Sequence, residues 1–235
     1  MNNREMKERF SRLSTPLIAD ACVRLKVSFN VAPPGIHPVL LDSRLGGRAF
    51  PVRHFGSVDV FLEAMNLAEE GDVLVVDNSD RRDEGCIGDL IVIEAMACGL
   101  GGIVIWGSHR DTPELRKLEF PMFSYGTWSV GPLRVDERSP DTFESALFGE
   151  FMVTRDDMVF GDQDGVLFGP LKRVKDILEM AESLSETEQS QAESVRKGTT
   201  LREQLKFDEY LIKRKSDPEY DFRKHLREIG GAIEE

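Results

Sequence analysis

Three short apolar runs, each separated from the next by a helical pattern, constrain this chain more than any other feature. They are Val73-Leu74-Val75-Val76-Asp77, Ile103-Val104-Ile105-Trp106 and Met122-Phe123-Ser124-Tyr125. Between the first two, the spacing predicts a helix over 89–98 that Gly99 stops; between the second and third it predicts a short helix over 112–118. Strands apolar on both faces need cover on both, and helical crossovers make neighbouring strands parallel. The fold class is therefore α/β. Upstream, Ser14-Thr15-Pro16 reads as a helix start, 46–52 as a strand and 58–68 as a helix ended at Glu69-Glu70-Gly71. Downstream the pattern turns to β: a strand over 132–135, then a hairpin of Met158-Val159-Phe160 and Val166-Leu167-Phe168 with Gly165 at positive φ.

The chain has 235 residues, 40% of them hydrophobic and 31% charged, which is enough to bury a core and too apolar for a disordered segment. Its net charge of −12 would repel nucleic acid and anionic membranes. The most apolar stretch, 90–106, contains Glu94 and the Gly99-Leu100-Gly101-Gly102 turn, so a buried helix and strand are expected there and a membrane span is not. Cys22, Cys86 and Cys98 have no metal or redox spacing, and no apolar signal core follows Met1; a cytoplasmic protein is expected. Composition shifts near Pro170. We expect a core domain over 1–170 and a helical extension over 171–235, with two or three amphipathic helices interrupted near Gly198 and Asp217-Pro218.

Ligands of open α/β sheets bind beyond the carboxyl ends of the strands, where two loops are expected, 78–88 and 107–111. Gly88-Asp89 closes the first at a helix N-terminus. It suits an anion, or is only a turn and an N-cap. Arg110-Asp111-Thr112-Pro113-Glu114 opens the next helix. It is a capping box, or it offers two carboxylates to Mg²⁺ or Mn²⁺ beside a guanidinium suited to a carboxylate substrate. His37, His54, His109 and His225 have no ligand spacing, and His109 reads as a neighbour of Arg110 rather than a base. No phosphate loop and no dinucleotide fingerprint is present.

Jointly, Gly88-Asp89, twenty intervening residues, Arg110-Asp111 and an acid three residues later, Glu114, resemble the RraA-like family of 4-hydroxy-4-methyl-2-oxoglutarate aldolases and regulators of ribonuclease activity. The likeness runs from about Leu13 to Ala181 and includes Ala19-Asp20-Ala21, Glu70-Gly71-Asp72 and Gly161-Asp162-Gln163-Asp164-Gly165. It implies a swivelling β/β/α domain assembled as a homotrimer or homohexamer, with sites near subunit contacts. It implies substrate binding by Gly88, Asp89, Leu90 and Ile91, pyruvate binding by Arg110, a metal on Asp111, and Glu114 acting through water on that metal. Asp89, Arg110 and Glu114 would then carry catalysis in a class II pyruvate aldolase with oxaloacetate decarboxylase side activity, using Mg²⁺ or Mn²⁺ and no Schiff-base lysine. The alternative is a protein-binding regulator, which by the same likeness lacks the acid at Glu114. A methyltransferase, a label some relatives carry, finds no glycine-rich strand-turn for its cofactor. Departures from the family pattern are the charged 78–88 segment, Gly126 to Pro132 and the tail after Ala181.

Overall fold

A computed structural model describes residues 1–230. The chain forms two compact units, Met1–Pro16 with Ser28–Lys175, and Leu17–Val27 with the chain from Asp176 onward. The extension expected from composition is thus joined by a segment from near the N-terminus.

In chain order the first unit contains α1 (Asn3–Phe10), the start of α2 (Thr15–Arg24), β1 (Asn30–Val31), β2 (His37–Pro38), β3 (Leu45–Arg53), α3 (Asp59–Leu67) and β4 (Val73–Ile87). Next come α4 (Asp89–Ala97), β5 (Gly102–His109), α5 (Thr112–Leu118), β6 (Met122–Ser124), β7 (Ser145–Phe148), β8 (Phe151–Thr154), β9 (Asp157–Asp162) and β10 (Gly165–Pro170). The main sheet runs β1-β10-β9-β3-β4-β5-β6-β2, and β7-β8 is a separate hairpin. As the apolar runs require, β3, β4, β5 and β6 are parallel neighbours, while β9 and β10 form the expected antiparallel hairpin with Gly165 at φ 136°.

Side-chain alternation along the strands divides the core in two. Phe50, Val52, Leu74, Val76, Ile103 and Ile105 pack on one face against Val60, Phe61, Val92, Ala95 and Leu115 of the helices. Ala49, Val73, Val75, Val104 and Phe123 face the other way, onto Phe148, Val153, Val159, Val166 and Phe168 of the β layer. The result is β/β/α layering, with helices on one face only of the parallel strands.

Several local expectations are corrected. The polar segment 78–88 is no free loop: β4 continues to Ile87, pairing Arg81 with Gly107, Gly85 with Ser108 and Ile87 with His109 through register shifts. Ser79 and Asp80, at φ 55° and 58°, make the bulge that accommodates the extra residues. Likewise β5 extends to His109, so the second loop is only Arg110-Asp111. No strand forms over 132–135, because that segment is tied down by a side chain rather than a ladder. Helix α4 buries Val92 and Ala95 but exposes Leu90, Ile93 and Met96, so it is not the buried helix its composition suggests.

The second unit contains α6 (Val174–Arg196, entered from the first unit), the one-turn α7 (Leu201–Gln204), α8 (Phe207–Ser216) and α9 (Phe222–Ile229). Breaks fall at Gly198 and Asp217 as expected, with α7 additional. Tyr210, Tyr220, Phe222 and the buried His225 pack together there; His225 Nε2 binds the Leu205 carbonyl (2.8 Å) and Nδ1 faces the Tyr220 hydroxyl (3.2 Å). Among the described residues no helix is long and apolar enough to cross a membrane.

Candidate functional site

Adjacent parallel strands place the ends of β4 and β5 side by side. The Arg110 N–H donates to the Ile87 carbonyl (2.9 Å), which brings Gly88 and Asp111 together although 22 residues separate them. A Cβ on Gly88 would lie 2.1 Å from Asp111 Oδ2 and 3.2 Å from Arg110 Nε. Only glycine allows this approach. Arg110 Nε stands 3.4 Å from Asp111 Oδ2, and the two side chains are 46% and 38% exposed, so solvent reaches both.

Asp111 settles one sequence alternative. Its backbone is left-handed (φ 61°, ψ 36°), and its side chain makes no capping hydrogen bond. The Glu114 and Leu115 amides donate instead to the Asp111 main-chain carbonyl, both at 3.0 Å. A non-glycine residue in this region costs about 1–3 kcal/mol, and such strain is concentrated at functional sites. The capping-box explanation of Asp111 and Glu114 therefore fails on geometry. Asp111 keeps its carboxylate turned toward Gly88 and Arg110, while Glu114, one helical turn on and half exposed, has Lys117 Nζ at 3.8 Å.

Helix α4 begins with Gly88 as an N-cap that has no side chain to offer. First-turn amides lack intrahelical acceptors, and the Leu90 N–H is turned onto Asp89 Oδ1 (2.8 Å). Asp89 thus caps the first turn of its own helix.

His109 is a buried neighbour of Arg110 with hydrogen-bond partners on both ring nitrogens. Its Nδ1 meets Ser124 Oγ at 2.7 Å and its Nε2 meets Thr112 Oγ1 at 2.9 Å, and burial, helped by Arg116, lowers its pKa to about 4. Its ring links β6 at Ser124 to the start of α5 at Thr112. Cys86 is buried and its thiol is pushed far up by desolvation, so it is no nucleophile. Among the described residues no three or more His, Cys, Asp or Glu side chains are grouped to cage a metal. Asp111 is the carboxylate beside Gly88 and Arg110 that could hold a divalent cation, with water completing the coordination.

Gly85 and Gly131 also line the site, though the motif spacing did not point to them. The Gly85 N–H donates to the Val130 carbonyl (2.8 Å), and a Cβ on Gly131 would lie 2.7 Å from Arg110 Nη1. In the sequence Gly131 shows only as part of the 126–132 segment that departs from the family pattern, and Gly85 only as a member of the charged 78–88 segment.

Comparison with known proteins bears on the family and the fold. A family model described as RraA-like: Aldolase/RraA matches residues 15–168. A protein of Hahella chejuensis named "Putative 4-hydroxy-4-methyl-2-oxoglutarate aldolase" is 27% identical over 157 residues, covering 66% of this chain and 92% of that one. An uncharacterized protein from Pseudomonas syringae pv. tomato superposes with a TM-score of 0.73 at 24% identity, covering 85% of this chain and 96% of that one. Streptomyces coelicolor RraAS2, described as an unusual member of the RNase ES inhibitor RraA protein family, superposes at 0.65 with 25% identity, covering 79% and 94%.

Proposed function

The chain belongs to the RraA-like Aldolase/RraA family, and on that premise we propose that it is a divalent-metal-dependent lyase. It cleaves a 4-hydroxy-2-oxo acid, such as 4-hydroxy-4-methyl-2-oxoglutarate, to pyruvate and a second carbonyl compound, with oxaloacetate decarboxylation as a side reaction. The observation that carries this reading is the meeting of Gly88, Arg110 and an uncapped Asp111 carboxylate at one helix N-terminus.

Asp111, with Glu114 acting through water, would hold Mg²⁺ or Mn²⁺, which would supply Lewis acidity to the 2-oxo acid. The remaining work falls to the chain. Arg110 receives the substrate carboxylate with its planar fork and offsets the charge that develops as the carbon–carbon bond breaks. The amides from Gly88 to Ile91 hold the same anion, with the Leu90 N–H released from Asp89 as substrate arrives. Asp89 or Glu114 holds the proton that must leave the 4-hydroxyl and return to the pyruvate carbon. An acidic protein of charge −12 thereby handles an acidic substrate through localised positive potential.

Glu114 favours the enzyme over a protein-binding regulator, since the acid belongs to the aldolase pattern. Self-association is part of the reading. Leu90, Ile93 and Met96 are 75%, 46% and 43% exposed on the helix that starts at Gly88, and a second copy is the occupant that would place a subunit contact beside the site in a trimer or hexamer. The test is pyruvate release from oxaloacetate and from 4-hydroxy-4-methyl-2-oxoglutarate with Mg²⁺ or Mn²⁺, repeated in EDTA. Metal-dependent release is expected; full activity in EDTA defeats the metal mechanism. No release with any divalent metal, together with capture of a specific protein partner, would favour the regulator.

A further inference from the structure

Arg110 is a long side chain, nearly half exposed, in ionic contact with its own neighbour Asp111. That contact cannot by itself select one rotamer, because the adjacent carboxylate moves with the same backbone and the guanidinium retains its freedom. The Arg110 side chain instead runs against glycine backbone at its root and at its tip. On one side Gly85 lies so close that a Cβ there would come within 2.9 Å of Arg110 Cβ. On the other, Gly131 passes over Nη1.

Gly131 belongs to an irregular strap over 126–136, and that strap is stapled at both ends. At its start the Trp128 N–H donates to the His109 carbonyl (2.8 Å) and the His109 N–H to the Gly126 carbonyl (2.9 Å). At its end Arg134 turns inward and grips Glu84 with two bonds, Nε to Oε2 at 3.2 Å and Nη2 to Oε1 at 2.9 Å. Its Nη2 also donates to Asn78 Oδ1 (3.1 Å), its Nη1 pairs with Asp136, and the Asp136 N–H donates to the Phe55 carbonyl (2.8 Å). The Arg134 and Glu84 side chains are only 16% and 7% exposed, so solvent screens this pair far less than the Arg110–Asp111 pair. Glu84 directly precedes Gly85. One ion pair therefore ties the strap that carries Gly131 to the residue next to Gly85.

We infer that Arg134 is a positioning residue: its pair with Glu84 locks the strap, and the strap, through Gly131, sets where the Arg110 guanidinium stands above Asp111. The inference rests on the reading of Arg110 as the group that binds the substrate carboxylate. Its consequence is preorganisation, which shows in substrate affinity before turnover.

Two variants test it. Gly131→Ala puts a methyl against the flexible tip of Arg110 and leaves the ion pair intact. The double variant Glu84→Gln/Arg134→Met removes the lock without stranding a buried charge. Crystal structures of both should show the guanidinium displaced from Asp111. Calorimetric titration with pyruvate and Mg²⁺ should give affinity weakened about tenfold, the scale of a misplaced orienting group. KM for oxaloacetate should rise in step and kcat should fall as well, because Arg110 also offsets the charge that develops in the reaction. Arg110 unmoved in both structures, or displaced with pyruvate affinity unchanged, overturns the inference. If the parent protein itself binds no pyruvate, the substrate reading fails, and the two crystal structures alone then decide whether the strap positions Arg110.

Discussion

Asp111 Oδ2 occupies the space that a side chain on Gly88 would need: a Cβ there would sit 2.1 Å away. The N-terminus of α4 and the acid that opens α5 are thus one site. Substituting Gly88→Ala should push Asp111 aside and cost activity about a hundredfold, as a misplacement of about 1 Å can. Steady-state kinetics beside a thermal melt checks this; retained activity would show that the close approach is only packing.

Asp111→Asn should remove the metal without harming the fold, because asparagine tolerates the left-handed backbone that Asp111 adopts at φ 61°. Activity should fall at least about a hundredfold, the scale of several kcal/mol of lost charge stabilisation. Titration calorimetry with Mn²⁺ should show its binding lost, while the melting temperature changes little.

Glu114→Gln separates catalysis from binding. Its side chain is half exposed and contributes no cap, so stability should be unaffected. As a proton carrier acting through water, Glu114 should lower kcat about 10²–10⁴-fold when neutralised, with KM for oxaloacetate little changed. Unchanged kcat would remove it from the mechanism.

His109 should make the fold acid-sensitive. Its pKa falls from 6.5 to about 4 on folding, so between those values the unfolded chain binds a proton that the folded chain does not. Stability should then drop as pH falls from 6.5 to about 4, by on the order of 3 kcal/mol from this group. Burial lowers His54 as well, and adds in the same direction. Denaturant midpoints from pH 7 to 4 should slope less in His109→Gln than in the parent; parallel slopes would contradict the assignment.

Much of the fold was legible because strands buried on both faces leave continuous apolar runs, as Val73 to Val76 and Ile103 to Ile105 do. Segment 78–88 misled because Asp80 to Glu84 carry the charges of a solvent loop, while their backbone pairs with Gly107 and Ser108 far along the chain. A strand was expected over 132–135 because the segment alternates; what holds it is one buried pair, Arg134 with Glu84, which local periodicity cannot reveal. At the site, spacing singled out Gly88, Arg110, Asp111 and Glu114, but each segment taken alone favoured a cap over ligation. The left-handed turn at Asp111, a backbone property with no glycine to signal it, decided against the cap.

The most direct measurement is a crystal structure of the protein with pyruvate and Mg²⁺. The account predicts density between Gly88 and Arg110, the pyruvate carboxylate on the guanidinium and the α4 amides, and the cation on Asp111. Arg110 still paired with Asp111 at saturating pyruvate, with neither ligand present between them, would contradict it.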